Sequence, residues 1–278
     1  MLQFTSKIIL ILILVVVSTI SIAQTSSDSI DKNKLSAYFQ NEQYAEAVQY
    51  LEDKNVFKST DQNSLNDLGY AYYMSKRFME AQQVYAKTLS LDSLNFIANK
   101  YLAYISQRDK NYKIELLYCL RLIRIQPLTA ALYKFAGDTY SKLNNDDTAT
   151  LYYAHAYNLS PKNETIVSAY AENLIERELY VKADSVSTEF IKTDSLNYTM
   201  VRLAIRIYIA EKKMREAAAL TPNWLIINEE DPKTAVYLAQ ANYSIKNYKD
   251  AFIVCDTLLK QGIETESLLY YDHKLSLN

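Results

Sequence analysis

Residue types recur along this chain every 34 positions, and that period constrains its fold more than any single motif. Seven frames fit without a gap: 28–61, 62–95, 96–129, 130–163, 164–197, 198–231 and 232–265. The twentieth place of the frame holds Ala47, Ala81, Glu115, Ala149, Ala183, Ala217 and Ala251, an alanine in every frame but the third. The eighth place holds Leu35, Gly69, Ala103, Gly137, Ala171, Ile205 and Ala239. The seventeenth holds Tyr44, Phe78, Tyr112, Asp146, Tyr180, Met214 and Tyr248, and the eleventh adds Tyr38, Tyr72, Tyr140 and Tyr208. A period of this length marks a stack of supersecondary units that bury their apolar faces against one another.

The alternation of small and large places describes packing. Small residues at places 8 and 20 let two helices approach closely, and large side chains at places 11, 17 and 24 fill the space beside that contact. Within the second frame Leu65, Leu68, Gly69 and Tyr72 follow the helical spacing of three and four, as do Ala81, Tyr85 and Leu89. Each frame therefore predicts two helices. Composition agrees, since 278 residues contain only 3 glycines and 4 prolines, too few turn formers for a strand-rich fold or for glycine-lined phosphate loops. A hydrophobic content of 49% is enough for a continuous core.

Gly69, Tyr72, Phe78, Ala81 and Tyr85 stand in the order and spacing of the tetratricopeptide repeat, with Pro127 and Pro161 at its terminal proline place. The chain resembles that family over residues 28–265. The resemblance implies an all-α, right-handed solenoid of seven helix-turn-helix repeats, with first helices lining a concave groove. It also implies a capping helix over residues 266–278, where Leu268, Leu269 and Tyr271 are expected to face the stack and Asp272 and Lys274 the water.

Three places depart from the pattern. Glu115 takes a small-residue place, and an unpaired buried carboxylate is costly, so its side chain is expected at the surface. Asp146, within NNDD, reads as a capped helix start in which Asp146 or Asp147 accepts backbone N–H groups. Pro222 falls inside an expected second helix and should kink or break it; Trp224, two residues on, is either core filler at that break or an exposed anchor for a partner.

The first residues are a separate segment. Lys7 precedes an apolar run from Ile8 to Val17, and small residues at Ser21 and Ala23 precede Gln24, the order of a secretory signal. A signal peptide over 1–23 is expected, hence an exported, periplasmic or envelope-associated bacterial protein, with an uncleaved anchor as the alternative. Six triplets of Asp-Ser/Thr followed by an aliphatic or small residue, at Asp28, Asp92, Asp147, Asp184, Asp194 and Asp256, resemble a periplasmic O-glycosylation sequon, or else restate the repeat. Glycans there are expected on exposed turns.

Chemistry is not legible. His155 and His273 lack metal-ligand spacing, no GxSxG or P-loop occurs, and Cys119 and Cys255 share place 24 four frames apart, too distant to bridge. No enzyme, cofactor or metal is expected, and a formal charge of -2 gives no pull towards nucleic acid. By the resemblance, places 2, 5, 9, 12 and 13 face the groove. There Lys32, Lys100, Arg108, Lys134, Lys142, Arg202, Arg206 and Lys233 outnumber Asp138, Glu172 and Glu176, and Tyr70, Tyr73 and Tyr104 flank them. The expected partner is a protein or peptide, carboxylate-bearing, held in a basic groove flanked by aromatic side chains. The alternatives are a self-assembling structural protein or a glycan-binding module using the same tyrosines. The Lys-and-Asn pair of the carboxylate clamp found in chaperone-binding family members is missing, because Lys100 is followed at the clamp's Asn place by Tyr104 and Lys134 by Asp138.

Overall fold

The computed structural model describes residues 30–227 and 231–276. The expected signal segment lies outside them. The chain divides into two compact units, Met1–Ile125 and Gln126–Asn278. Among the described residues there is no strand, and no helix is long and apolar enough to cross a membrane.

In the first unit α1 (Lys32–Gln40) and α2 (Tyr44–Asp53) pair, a 3-10 turn at Val56–Lys58 follows, and two further pairs complete it: α3 (Gln62–Met74) with α4 (Phe78–Leu91), and α5 (Phe96–Arg108) with α6 (Tyr112–Ile125). The second unit contains α7 (Ala130–Lys142) and α8 (Asp146–Leu159), α9 (Glu164–Glu176) and α10 (Tyr180–Ile191), α11 (Tyr198–Ala210) with a split partner, and α14 (Pro232–Ser244) with α15 (Tyr248–Lys260). The split partner is α12 (Met214–Ala218) plus α13 (Thr221–Ile227), and α16 (Glu266–Ser276) closes the chain. From α3 onwards every first helix starts at place 1 and ends at place 13, and every second helix starts at place 17.

Local chemistry sets both ends. Place 34 caps the next first helix: the side chains of Asp61, Asn95, Asn163, Asn197 and Asp231 accept from backbone N–H groups two or three residues on. Place 15 turns the chain. Glu42, Lys76, Lys110, Asn144, Glu178, Lys212 and Lys246 all adopt φ between 55° and 64°, the left-handed region. The flanking N–H groups close each turn onto the helix just ended, as when Lys76 donates to Tyr73 at 3.0 Å and Arg77 to Tyr72 at 2.8 Å. This is the paired 5→2 and 6→1 bonding of a Schellman motif, made here without glycine.

The core of each unit lies between paired helices. Ala81, Ala149, Ala183, Ala217 and Ala251 are fully buried. Tyr85 lies so close to Gly69 that a Cβ there would meet the ring at 2.6 Å; Tyr153 lies against Gly137 in the same way, at 2.9 Å. The contact between places 8 and 24 thus uses glycine to admit a tyrosine ring.

Two expectations about the departures from the repeat are corrected. Glu115 is buried, not at the surface, and its Oε1 accepts a hydrogen bond from Gln107 Nε2 at 3.1 Å. Place 20 faces inward, Gln107 supplies a donor from the first helix, and place 11 holds the small Ser106 where four other frames carry tyrosine. The cap of α8 is Asn145, which accepts from Thr148 N at 3.3 Å, so Asp146 is already the first helical residue and Asp147 pairs with Arg177.

The sixth frame breaks where Pro222 predicts. Residues 219 and 220 separate α12 from α13, and Pro222 falls in the first turn of α13, where a missing N–H costs little. Trp224 is 1% exposed and packs with Val201, Ile205 and Leu238 as core filler. Asn242 Nδ2 donates to Thr221 Oγ1 at 2.8 Å and ties the start of α13 to the following pair. In α16 Leu268, Tyr271 and Leu275 face the stack, whereas Leu269 is exposed because it lies a residue round the helix from that stripe.

The sequon-like triplets split. Ser93 and Ser195 lie at exposed turns between helices, but Thr148, Ser185 and Thr257 lie within helices, and Thr257 Oγ1 donates to the Ile253 carbonyl at 2.7 Å. For those three the expectation of exposed turns does not hold.

Candidate functional site: an aromatic face on the first unit

The first helices of the first unit carry a continuous set of rings. Phe39 meets Tyr70 edge-on at 5.2 Å between centroids, Tyr70 meets Tyr101 at 5.7 Å, and Tyr101 meets Tyr73 at 4.9 Å and Tyr104 at 6.0 Å. Tyr101 also stacks on the buried Tyr85, at 5.4 Å with planes 2° apart. Tilted and edge-on rings at these separations stabilise one another beyond the area they bury. The network joins a core ring to surface rings, so it is rigid at its base. Burial, followed by the fields of Tyr70, Tyr104 and Tyr73, pushes the Tyr101 phenol up to about 12.

Tyr70 and Tyr101 open onto a cleft of about 420 Å³, whose other walls include Phe39, Asn66, Asp67 and Ile97. All of these belong to α1, α3 and α5. Tyr73 is divided between two jobs: it packs on the unit's core and meets Phe78 at 5.5 Å as well as Tyr101.

Two cations border the rings. Lys100 Nζ sits 5.5 Å from the Tyr101 centroid and 5.8 Å from that of Tyr104, and no anion pairs with it among the described residues. Arg108 stacks on Phe78 at 3.9 Å and bonds Asp109 at 2.9 Å.

The candidate residues of the second unit are placed differently. Lys134 pairs with Asp138 one turn along α7 at 2.8 Å, and Asp138 also accepts from the Tyr153 hydroxyl at 2.8 Å. Arg202 of α11 pairs with Glu172 of α9 at 3.1 Å. Arg206 has no ion-pair partner among the described residues. Two acids at the expected groove places, Asp138 and Glu172, thus reduce, through two closed pairs, the positive charge that the sequence counts as available. Sequence reasoning missed Tyr101, which holds place 6 and was outside the expected groove places; the aromatic at that place was the one available signal.

Among the described residues no three His, Cys, Asp or Glu side chains come together to hold a metal ion. Cys119 and Cys255 are buried thiols not joined in a disulfide, and burial pushes the Cys255 thiol up to about 12.

Comparison with known proteins decides the architecture. A tetratricopeptide repeat protein from Parabacteroides merdae superposes with a TM-score of 0.58 at 15% identity, covering 88% of this chain and 97% of that one. The C-terminal part of a TPR repeat-containing protein from Cytophaga hutchinsonii superposes with a TM-score of 0.72 at 15% identity, covering 86% and 98%. This chain has the tetratricopeptide repeat fold. YrrB, described as a TPR protein with an unusual peptide-binding site, shares the fold at a TM-score of 0.55 and 16% identity, covering 73% of this chain and 97% of YrrB. In sequence, human tetratricopeptide repeat protein 21B is 29% identical over 167 residues, which is 57% of this chain and 12% of that protein. The chain therefore spans only a small part of that relative. No protein-family model matches.

Proposed function

We propose that this protein is a non-enzymatic interaction scaffold of the bacterial cell envelope, and that it binds a peptide segment of a partner on the aromatic face of its first unit. The observation that carries this reading is the ring network Phe39–Tyr70–Tyr101–Tyr104, anchored on buried Tyr85 and open on a cleft of about 420 Å³. Rigid aromatics flanked by charge are the usual anchors of protein recognition, since they bring large contact area at small entropic cost. Lys100, over two of the rings, supplies the contact for a carboxylate of the partner. The similarity to YrrB, a peptide-binding protein of this fold, supports the reading. The apolar run after Lys7 supports export.

The test is capture from an envelope extract on the immobilised protein and on its Tyr70→Ala, Tyr104→Ala variant. A genuine partner is lost from the variant, at a cost of about 2 kcal/mol or more in binding. A protein retained equally by both refutes the assignment of this face. Sequencing the N-terminus of protein isolated from cells tests export: cleavage is expected to leave Gln24 first.

A further inference from the structure

We propose that the cleft between Tyr70 and Tyr101 is a subsite for a basic side chain, lysine or arginine, of the bound segment. This inference deepens the reading above and rests on it. It stands on what the cleft offers a ligand.

Asp67 lines the cleft, half-buried, and accepts no hydrogen bond and joins no ion pair among the described residues. Its neighbour in sequence has the same need: Asn66 Oδ1 is buried without a hydrogen-bond partner. Asp61, by contrast, is fully employed, accepting from Ser64 N at 3.1 Å and Asn63 N at 3.3 Å as the cap of α3. The cleft therefore presents one unsatisfied charged acceptor, the Asp67 carboxylate. Groups of this kind are costly to leave unmade and are repaid by a charged donor.

The walls favour the same ligand. Phe39, Tyr70 and Tyr101 bring ring faces and edges to one space, and a cation is attracted to the face of such a ring. The space of about 420 Å³ admits a guanidinium or ammonium together with its aliphatic stem. Lys32 is the cation whose charge acts on Asp67; both line the adjoining cleft of about 250 Å³, and Lys32 is exposed and does not bond Asp67. Burial, and secondarily the charge of Asp61, push the Asp67 carboxyl above its usual range, with Lys32 opposing; a bound cation would reverse that push. A carboxylate entering the cleft would meet like charge. One face of the first unit thus offers two opposite chemistries: an acid-floored aromatic cleft for a basic residue, and Lys100 for an acidic one.

The test is selection of a display library of random 12-residue peptides on the purified protein, with affinities of the selected peptides measured on variants. The expected result is enrichment in lysine or arginine, loss of binding on Tyr70→Ala, and about a tenfold fall in affinity on Asp67→Asn. Replacing the key arginine of a peptide by the neutral isostere citrulline should give a similar fall without altering the protein, and circular dichroism checks that Asp67→Asn stays folded. Peptides that depend on Tyr70 but lack a basic residue, or bind Asp67→Asn unchanged, overturn the cation subsite and leave the aromatic face as a binding site. Peptides indifferent to Tyr70→Ala overturn both.

Discussion

The two units place the same repeat positions on different work. In the first, the expected groove places of α1, α3 and α5 carry Phe39, Tyr70, Tyr73 and Tyr104, which are joined through Tyr101, and Lys100 there has no anion among the described residues. In the second, the corresponding places of α7, α9 and α11 carry Lys134, Asp138, Glu172 and Arg202, which close on one another within and between helices. A count of cations alone by place, five against three, makes the second unit look better equipped for an acidic partner than the first. The geometry takes Lys134 and Arg202 out of that count, because a cation already paired must be separated from its partner before it can bind another. The joined rings beside an unpaired lysine distinguish the first surface.

The comparison can be strained first at the glycine-tyrosine contacts, which the units share. Gly69→Ala drives a Cβ into Tyr85 and Gly137→Ala into Tyr153. Each should lose about 1–3 kcal/mol in chemical denaturation, the first more than the second because its approach is closer. Gly69→Ala should also weaken peptide binding, since Tyr85 supports Tyr101; Gly137→Ala should not.

A titration sharpens the same asymmetry. The Tyr101 phenol is held near 12 against an ordinary 10.0, so the folded first unit favours the neutral form. Its contribution is fully present below pH 10 and is lost as pH rises towards 12. Tyr101→Phe should remove that alkaline loss, followed by denaturant midpoint against pH.

Turn chemistry predicts a smaller gain common to both units. Lys76→Gly and Lys246→Gly relieve a left-handed residue at place 15, and each should stabilise by about 1 kcal/mol in the same denaturation assay. The smallest effect is expected for the closed ion pairs: Lys134→Gln should change stability by about 0.5 kcal/mol or less and leave peptide binding unmoved. Lys100→Gln, equally conservative, should weaken binding of an acidic segment and reduce its salt dependence.

Much of the architecture was legible because packing between paired helices is written at fixed places. Ala81 and Gly69 state how near the helices come, and Tyr85 states what fills the gap. Other features were hidden because they depend on neighbours that the period does not bring together in sequence. Glu115 reads as a misfit until Gln107, eight residues earlier, is seen to donate to it. Arg202 reads as a free groove cation until Glu172, 30 residues earlier, is placed beside it. Tyr101 lies outside the expected groove places and draws no notice until Tyr70 and Tyr85 are seen beside it. The left-handed turn had no sequence signal at all, since its main-chain bonds form with glutamate, lysine or asparagine at place 15.

The second helix of frame six is split at Pro222, yet α14 still begins at Pro232, the position that the preceding frames dictate. The fault is length-neutral: two residues leave the helix, Asn242 pins the new segment, and the count of 34 is kept. A helical stack with such a fault behaves like a printed page with one line reset in another typeface, since spacing survives a change of form. Frame six can therefore redirect the surface of its second helix without putting the next pair out of step.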